Sequence, residues 1–184
     1  MKKNEQNLQA KSRNRIFLVG LMGAGKTTIG KQLATNLNYT FYDSDHEIEA
    51  HTGAPIPLIF ELEGEAGFRK RESKMIEQLS KLDNIVLATG GGAVLAEHNR
   101  DILSARGIIV YLSATVEQLH NRTKRDKNRP LLQTDDPIDT LHNLIDEREP
   151  LYKEIADVIV DTGKANIKTT ASNIVNKIND VKCV

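Results

Sequence analysis

Apolar runs and helical periodicities alternate along this chain. Short runs typical of buried strands occur at Ile16–Val19, Tyr39–Tyr42, Ile85–Ala88, Gly107–Leu112 and Asp157–Val160. Segments with helical spacing lie between them. Because strands that alternate with helices usually pair in parallel under helices on both faces, the pattern predicts an α/β fold. We expect three α/β/α layers around a central five-stranded parallel sheet.

The helical segments are recognised by apolar residues three and four positions apart. The first helix presents Ile29, Leu33 and Leu37, and the second, which begins near Gly64, presents Phe68, Met75, Ile76, Leu79 and Leu82. The third presents Val116 and Leu119, and the fourth presents Leu141, Leu144 and Ile145. The last helix, about Thr169–Val181, presents Ile174, Val175, Ile178 and Val181. The polar run before Pro137 predicts the start of the fourth of these helices, and Pro150 predicts its disruption.

Composition and charge fit one globular domain. The chain has 184 residues, and its 25 Lys and Arg balance its 25 Asp and Glu. Zero net charge gives no field that favours nucleic acid or an acidic membrane, and no apolar run is long enough to span a bilayer. The single cysteine, Cys183, excludes an internal disulfide and is typical of a reducing cytoplasm. Monomer is the default expectation.

Residues 1–14 are polar and basic and contain no apolar block. This composition predicts a disordered N-terminal arm rather than a secretory signal, with an Arg-rich transit peptide as the alternative. Residues 15–184 are then expected to form the single folded domain.

A phosphate-binding loop (P-loop) follows the first predicted strand. Residues 20–28 read Gly-Leu-Met-Gly-Ala-Gly-Lys-Thr-Thr and fit the pattern G-x-x-x-x-G-K-[ST]. Glycines let successive backbone N–H groups converge on phosphate oxygens, and the helix that begins near Lys26 adds its positive dipole end. Lys26 can reach the β- and γ-phosphates, and the Thr27 hydroxyl can ligate Mg²⁺. The motif predicts ATP or GTP binding; an ordinary Gly-rich turn is the alternative.

Two carboxylates, Asp43 and Asp45, follow the second predicted strand. Ligands of parallel sheets bind at the carboxyl ends of strands, so one acid could serve Mg²⁺ and the other could orient or deprotonate a hydroxyl group. If the backbone stays extended, both side chains lie on one side. Helix capping is the alternative, but it explains one of the acids. The third strand lacks the Asp of a Walker B motif, which favours Asp43 as the metal carboxylate.

Two arginines lie beside apolar helix faces. Arg69 is seven residues before Ile76, which places it beside the apolar face, and it could pair with Glu72 at i, i+3. Arg148 continues the face of Leu144 and Ile145. Such arginines either extend along the surface or point into a cleft, where they would bind an anion. The three glycines Gly90–Gly92 follow the third strand, and they suggest a ligand against bare backbone.

A charged segment, Thr123–Pro130, predicts a mobile loop. A loop that carries arginines over a nucleotide site can exclude water and neutralise a transferring phosphate. A solvated surface loop is the alternative.

Together these motifs resemble the shikimate kinase family of small, nucleoside-monophosphate-kinase-like P-loop kinases. The motifs that match in order are the P-loop, Asp-Ser-Asp at 43–45, Phe-Arg-x-x-Glu at 68–72, Gly-Gly-Gly at 90–92, Arg-Pro-Leu-Leu at 129–132 and Arg-x-Pro-Leu-Tyr at 148–152. Met22 stands where the family usually has Pro. The resemblance implies ATP-dependent phosphorylation of the 3-hydroxyl of shikimate, in aromatic amino acid (chorismate) biosynthesis.

The resemblance also implies roles for individual residues. Lys26, Asp45 and Arg129 would be catalytic, and one Mg²⁺ per subunit would lie on Thr27 and Asp43. ATP would contact Gly23, Ala24, Gly25, Lys26, Thr27, Thr28, Arg122 and Arg129, with Arg122 stacked on adenine. Shikimate would contact Asp45, Arg69, Gly90, Gly91, Gly92 and Arg148, of which the arginines would clamp its carboxylate. A substrate-binding helical region (about 44–80) and a lid loop (about 123–134) would enclose the site.

Two other functions fit parts of the sequence. A related small-molecule kinase, such as a gluconate kinase, would share the P-loop but would not need Arg69, Gly90–Gly92 and Arg148 together. A non-catalytic nucleotide-dependent switch would need Lys26 but no acceptor residues.

Overall fold

The computed structural model describes residues 12–124, 134, 136–163 and 165–181. Its strands are β1 (Ser12–Val19), β2 (Thr40–Asp43), β3 (Ile85–Ala88), β4 (Gly107–Ser113) and β5 (Val158–Asp161). Its helices are α1 (Lys26–Leu37), α2 (Ser44–Thr52), α3 (Ile56–Leu79), α4 (Glu97–Arg106), α5 (Val116–Thr123), α6 (Pro137–Ile155) and α7 (Ile167–Asp180), with a 3₁₀ turn at Ala93–Leu95. None of these helices is long and apolar enough to cross a membrane.

The five strands form one parallel sheet in the order β2-β3-β1-β4-β5. Phe17 in the central strand pairs with Leu87 of β3 on one side and Ile109 of β4 on the other. All three side chains are completely buried, as expected for strands covered on both faces. The predicted α/β/α architecture is confirmed. β1 begins at Ser12, so residues 12–14, which were assigned to the N-terminal arm, belong to a strand.

Helices position the carboxyl edge of the sheet. α1 packs on β2 and β3 and against α7, whereas α4 and α6 contact β4. The loops that carry the P-loop, residues 43–45 and residues 89–92 all leave the sheet at the same edge because their strands are parallel.

α3 differs from its predicted form. It begins at Ile56 rather than near Gly64, and the backbone of Gly64 (φ 67°, ψ −179°) breaks it into two parts. The first part buries Ile59 and packs Ile56 and Phe60 against the core, but Leu58 and Leu62 are exposed. Apolar residues therefore lie on both sides of it, which obscures the buried face in the sequence. The helix ends at Leu79, which leaves Leu82 beyond it and 41% exposed.

α6 continues through Pro150, so the predicted disruption is wrong. Proline lacks the N–H that would bond to the carbonyl of Asp146. Both residues are exposed, so water can bond to that carbonyl and the helix can continue. Most of the predicted lid, the N-terminal residues 1–11 and Cys183 lie outside the part of the chain that the structure describes.

Candidate active site

The loop after β1 is shaped to hold an anion. Gly20, Gly23 and Gly25 have φ angles of 140°, 80° and 94°, a region that favours glycine. No side chain caps the N-terminus of α1, which begins at Lys26. Backbone N–H groups and the positive end of a helix dipole therefore meet at the loop, an arrangement that binds phosphate.

The Lys26 ammonium group is held against this loop. Its Nζ donates to the carbonyl oxygens of Gly20, at 2.6 Å, and Leu21, at 2.9 Å. These hydrogen bonds keep a positive charge beside the backbone that would receive the phosphates of a nucleotide.

Asp43 joins the P-loop to α2. Its Oδ2 accepts from the Thr27 hydroxyl at 2.7 Å, and its Oδ1 accepts from the backbone N–H of Asp45 at 3.2 Å. Helix capping, one of the two alternatives for this acidic pair, is therefore confirmed for Asp43. The condition that the backbone of residues 43–45 stays extended is not met, because α2 begins at Ser44.

The oxygens of Thr27 and Asp43 fit Mg²⁺. This ion usually takes one or two protein oxygens and fills its other positions with water and phosphate oxygens. A hydroxyl and a carboxylate that lie 2.7 Å apart beside a P-loop supply such a pair. Over the described ranges, no group of three His, Cys, Asp or Glu side chains could hold a metal by itself. A phosphate-bound Mg²⁺ therefore fits this place better than an ion held by the protein alone.

Asp45, in the first turn of α2, has a buried carboxyl oxygen. Its Oδ1 forms no hydrogen bond with the residues that the structure describes. The pKa of this carboxyl is raised from 3.8 to about 7, first by burial and then by the charges of Glu72 and Asp43, although the charges of Lys26 and Arg69 act to lower it. A carboxyl group that changes protonation near neutral pH can orient a hydroxyl group or accept its proton.

The glycine turn after β3 passes between two carboxyl groups. The Gly90 N–H donates a 2.9 Å hydrogen bond to the hydroxyl of Ser44, a completely buried residue. A methyl group on Gly90 would collide with Glu72 Oε1 and lie 2.8 Å from Asp45 Oδ1. Glycine is needed here for close approach by protein side chains, not only for a ligand.

Arg69 and Glu72 pair as the i, i+3 spacing predicts. Arg69 Nη1 donates to Glu72 Oε2 at 2.7 Å, and Nη2 donates to Glu65 Oε1 at 3.0 Å. Glu72 is completely buried, and a methyl group on Gly92 would collide with the Arg69 guanidinium. The Arg69 guanidinium therefore lies against the glycine turn, and its hydrogen bonds to Glu72 and Glu65 fix its direction.

Arg148 is also directed inward, as its position on α6 predicts. It is 4% exposed, and its Nε donates to Glu147 Oε2 at 3.1 Å. Burial raises the pKa of Glu72, while the charges of Arg69 and Arg148 lower it. Both arginines thus act on the same buried carboxylate, which places two positive charges on one side of the site.

Arg122 ties the P-loop to the end of β5. Its Nη1 donates to the Gly23 carbonyl at 3.2 Å and to Thr162 Oγ1 at 3.0 Å, and its Nη2 donates to the Thr162 carbonyl at 3.0 Å. The guanidinium plane is thereby fixed beside the loop. Arg129 lies outside the described residues, so its place over the P-loop stays a prediction.

Three polar residues that hold the site have no role in the sequence analysis. They are Ser44, Thr162 and Tyr152, whose hydroxyl donates to the Gly91 carbonyl oxygen. Each contact joins residues at least 40 positions apart, so no local spacing reveals it. The available signal is the place of Tyr152 one helical turn after Arg148.

Comparison with known proteins gives one consistent family. The family model described as shikimate kinase matches residues 22–179. A shikimate kinase from Nitrosococcus oceani is 58% identical over 167 residues, which are 91% of this chain and 88% of the relative. The structure of a shikimate kinase from Acinetobacter baumannii in complex with shikimate has a TM-score of 0.90 and 49% identity, covering 94% of this chain and 96% of that chain.

A more distant likeness concerns the fold alone. A gluconokinase from Sinorhizobium meliloti is 17% identical, with a TM-score of 0.61, over 93% of this chain and 94% of that chain. The predicted P-loop kinase fold is confirmed by these similarities.

Proposed function

This chain belongs to the shikimate kinase family, and from that premise we propose that the site at the carboxyl edge of its sheet transfers the γ-phosphoryl group of ATP to the 3-hydroxyl of shikimate. The protein is a small-molecule kinase that acts on an alcohol group and forms shikimate 3-phosphate and ADP, a step of aromatic amino acid (chorismate) biosynthesis. The observation that carries the assignment of the site is the buried Asp45 oxygen, which has no hydrogen-bond partner among the described residues and feels the charges of both Lys26 and Arg69.

The P-loop supplies the donor half of the site. The backbone N–H groups of residues 23–28 surround the phosphates, and the Lys26 ammonium exchanges its bonds to the Gly20 and Leu21 carbonyls for phosphate oxygens. Arg129 neutralises the transferred group from the lid. The fixed guanidinium plane of Arg122 offers a surface for adenine stacking.

One Mg²⁺ per chain neutralises phosphate charge when it is bound. Thr27 and Asp43 would hold it, the hydroxyl directly and the carboxylate directly or through water. Asp43 is well placed for this because its other oxygen is fixed by the cap on α2.

The acceptor half orients shikimate. Arg69 and Arg148 hold its carboxylate, since guanidinium groups bind carboxylates through paired hydrogen bonds. The Gly90–Gly92 turn contacts its ring substituents, with the N–H groups of Gly91 and Gly92 as the donors, because the Gly90 N–H already bonds to Ser44. Asp45 then accepts a hydrogen bond from the 3-hydroxyl and orients it toward the γ-phosphorus, or takes its proton as the new O–P bond forms.

A monomer stays the default proposal for the working unit. Consumption of ATP supports a cytoplasmic place for the reaction.

A coupled ADP-release assay with shikimate and gluconate as alternative acceptors tests the function. We expect turnover with shikimate only, and loss of turnover in Lys26→Ala. Folded protein that binds ATP in the presence of Mg²⁺ but releases no ADP with shikimate would overturn the proposal. Turnover with gluconate instead would support the related-kinase alternative, and binding without transfer to any acceptor would support a nucleotide switch.

A further inference from the structure

Tyr152 closes the Arg-x-Pro-Leu-Tyr segment but has no part in the reaction described above. Its side chain is completely buried, and its hydroxyl donates to the carbonyl oxygen of Gly91. Its ring stacks on Tyr111 of β4, with centroids 5.1 Å apart and planes inclined by 20°. Burial raises the pKa of the Tyr152 phenol, so the group stays protonated and remains a donor. A buried phenol requires such a partner.

The carbonyl that Tyr152 holds belongs to the part of the glycine turn nearest the P-loop. A methyl group on Gly91 would lie 3.4 Å from the backbone nitrogen of Met22. Within the described ranges, two side-chain hydrogen bonds reach residues 90–92: one from Gly90 to Ser44 and one from Tyr152 to Gly91. The turn is therefore fastened to α2 at one end and to α6 at its centre.

The P-loop is also held by contacts that do not involve Tyr152. Gly20 lies against the carbonyl oxygen of Leu112, from which a methyl group on Gly20 would be 2.5 Å away. The Gly23 carbonyl accepts from Arg122. Loss of the Tyr152 hydroxyl should consequently loosen the glycine turn and leave the donor loop in place.

By holding the Gly91 carbonyl, the Tyr152 hydroxyl also fixes the direction of the Gly92 N–H, which belongs to the same peptide group. In a trans peptide the Gly92 N–H points away from the Gly91 carbonyl. No protein atom accepts from the Gly92 N–H in the part of the chain that the structure describes. The Arg69 guanidinium lies against Gly92. The unpaired Gly92 N–H therefore lies beside a positive charge, and both groups would attract an anionic substrate such as shikimate.

We propose that Tyr152 is a positioning residue for the acceptor: it holds the Gly91–Gly92 peptide in the orientation that binds shikimate. The inference rests on the proposed function. Arg148 lies one helical turn earlier on α6. The same part of α6 therefore carries the arginine that would bind the carboxylate of shikimate and the tyrosine that holds Gly91.

The test is Tyr152→Phe, which removes the hydroxyl and keeps the stacked ring. Tyr111→Phe is the matched control, because its hydroxyl lies 3.4 Å from Glu149 and does not contact the glycine turn. We expect Tyr152→Phe to raise the KM for shikimate about threefold to tenfold, the factor of one lost hydrogen bond. The KM for ATP should stay within about twofold, and Tyr111→Phe should change neither constant.

A second readout does not depend on turnover. Amide hydrogen exchange at Gly91 and Gly92 should be faster in Tyr152→Phe than in wild type and unchanged in Tyr111→Phe. Unchanged shikimate KM in an active Tyr152→Phe enzyme, or an equal rise in both KM values, would overturn the positioning role. A wild-type protein without shikimate-dependent ADP release would instead overturn the proposed function itself.

Discussion

The hydroxyl of Thr27 lies 2.7 Å from Oδ2 of Asp43, although one residue belongs to the first turn of α1 and the other ends β2. The sheet order separates β1 from β2 by β3, and α1 packs across β3 onto β2 to bring the two groups together. β3 ends in Ala88 and leads into Thr89 and the glycine turn, so it offers no carboxylate here. The carboxylate beside Thr27 comes instead from Asp43, at the end of the neighbouring strand β2.

Asp43→Asn should raise the Mg²⁺ concentration needed for half-maximal turnover by about tenfold or more, the effect of losing a metal-site carboxylate. Asn caps helices as well as Asp does, so α2 should remain intact. A Mg²⁺ titration of turnover at saturating ATP and shikimate measures the effect. Asp83→Asn, on the surface, is the control, and equal Mg²⁺ dependence in both variants would contradict a metal role for Asp43.

Asp45→Asn should lower kcat by about 100-fold or more, because a positioned acid or base contributes that much to proton transfer. The KM for ATP should change little, since the proposed role of Asp45 is to bind the acceptor hydroxyl. Initial-rate kinetics with each substrate varied in turn separates the two constants. Near wild-type kcat would show that Asp45 neither orients nor deprotonates the hydroxyl.

The pH dependence of activity should report the same group. Burial, followed by the charges of Glu72 and Asp43, raises the pKa of Asp45 to about 7. If the ionised form accepts the hydroxyl proton, kcat/KM for shikimate should fall about tenfold per pH unit below pH 7 and level off above it. The rate profile of Asp45→Asn should lack this limb; a limb that persists there belongs to another group.

Stability should change with pH in the opposite sense to activity. The pKa of Asp45 is 3.8 when unperturbed and about 7 in the folded chain. The folded state therefore binds the proton more tightly, and this contribution to stability is full below about pH 4 and is lost as the pH rises through about 7. Asp45→Asn should thus raise Tm relative to wild type more at pH 8 than at pH 4. A Tm difference that is the same at both pH values would contradict this.

Arg148→Ala should raise the KM for shikimate by about tenfold or more, since hydrogen bonds to charged groups contribute about 1.5–3 kcal/mol. Arg71→Ala is the control, because Arg71 is exposed and pairs with Glu63 on the surface. Steady-state kinetics with shikimate varied measures the effect. An unchanged KM, or an equal effect of both substitutions, would remove Arg148 from the acceptor half.

The sequence predicts those parts of this molecule that depend on local periodicity. The inward direction of Arg148 follows from its spacing to Leu144, and the Arg69–Glu72 pair follows from i, i+3 spacing. The part of α3 before Gly64 was missed because it exposes Leu62 and begins between prolines. The passage of α6 through Pro150 was missed because exposure of the freed carbonyl is a tertiary property.

The central position of β1 has a consequence for the order in which the protein is assembled. β1 pairs with β3 and β4, and the loop that follows it rests on Leu112 at the end of β4. Synthesis proceeds from the N-terminus, so more than half of the 184 residues must leave the ribosome before this strand has both neighbours. The P-loop is therefore synthesised before the two strands that pair with β1, and its contact with Leu112 can form only after β4 has been made.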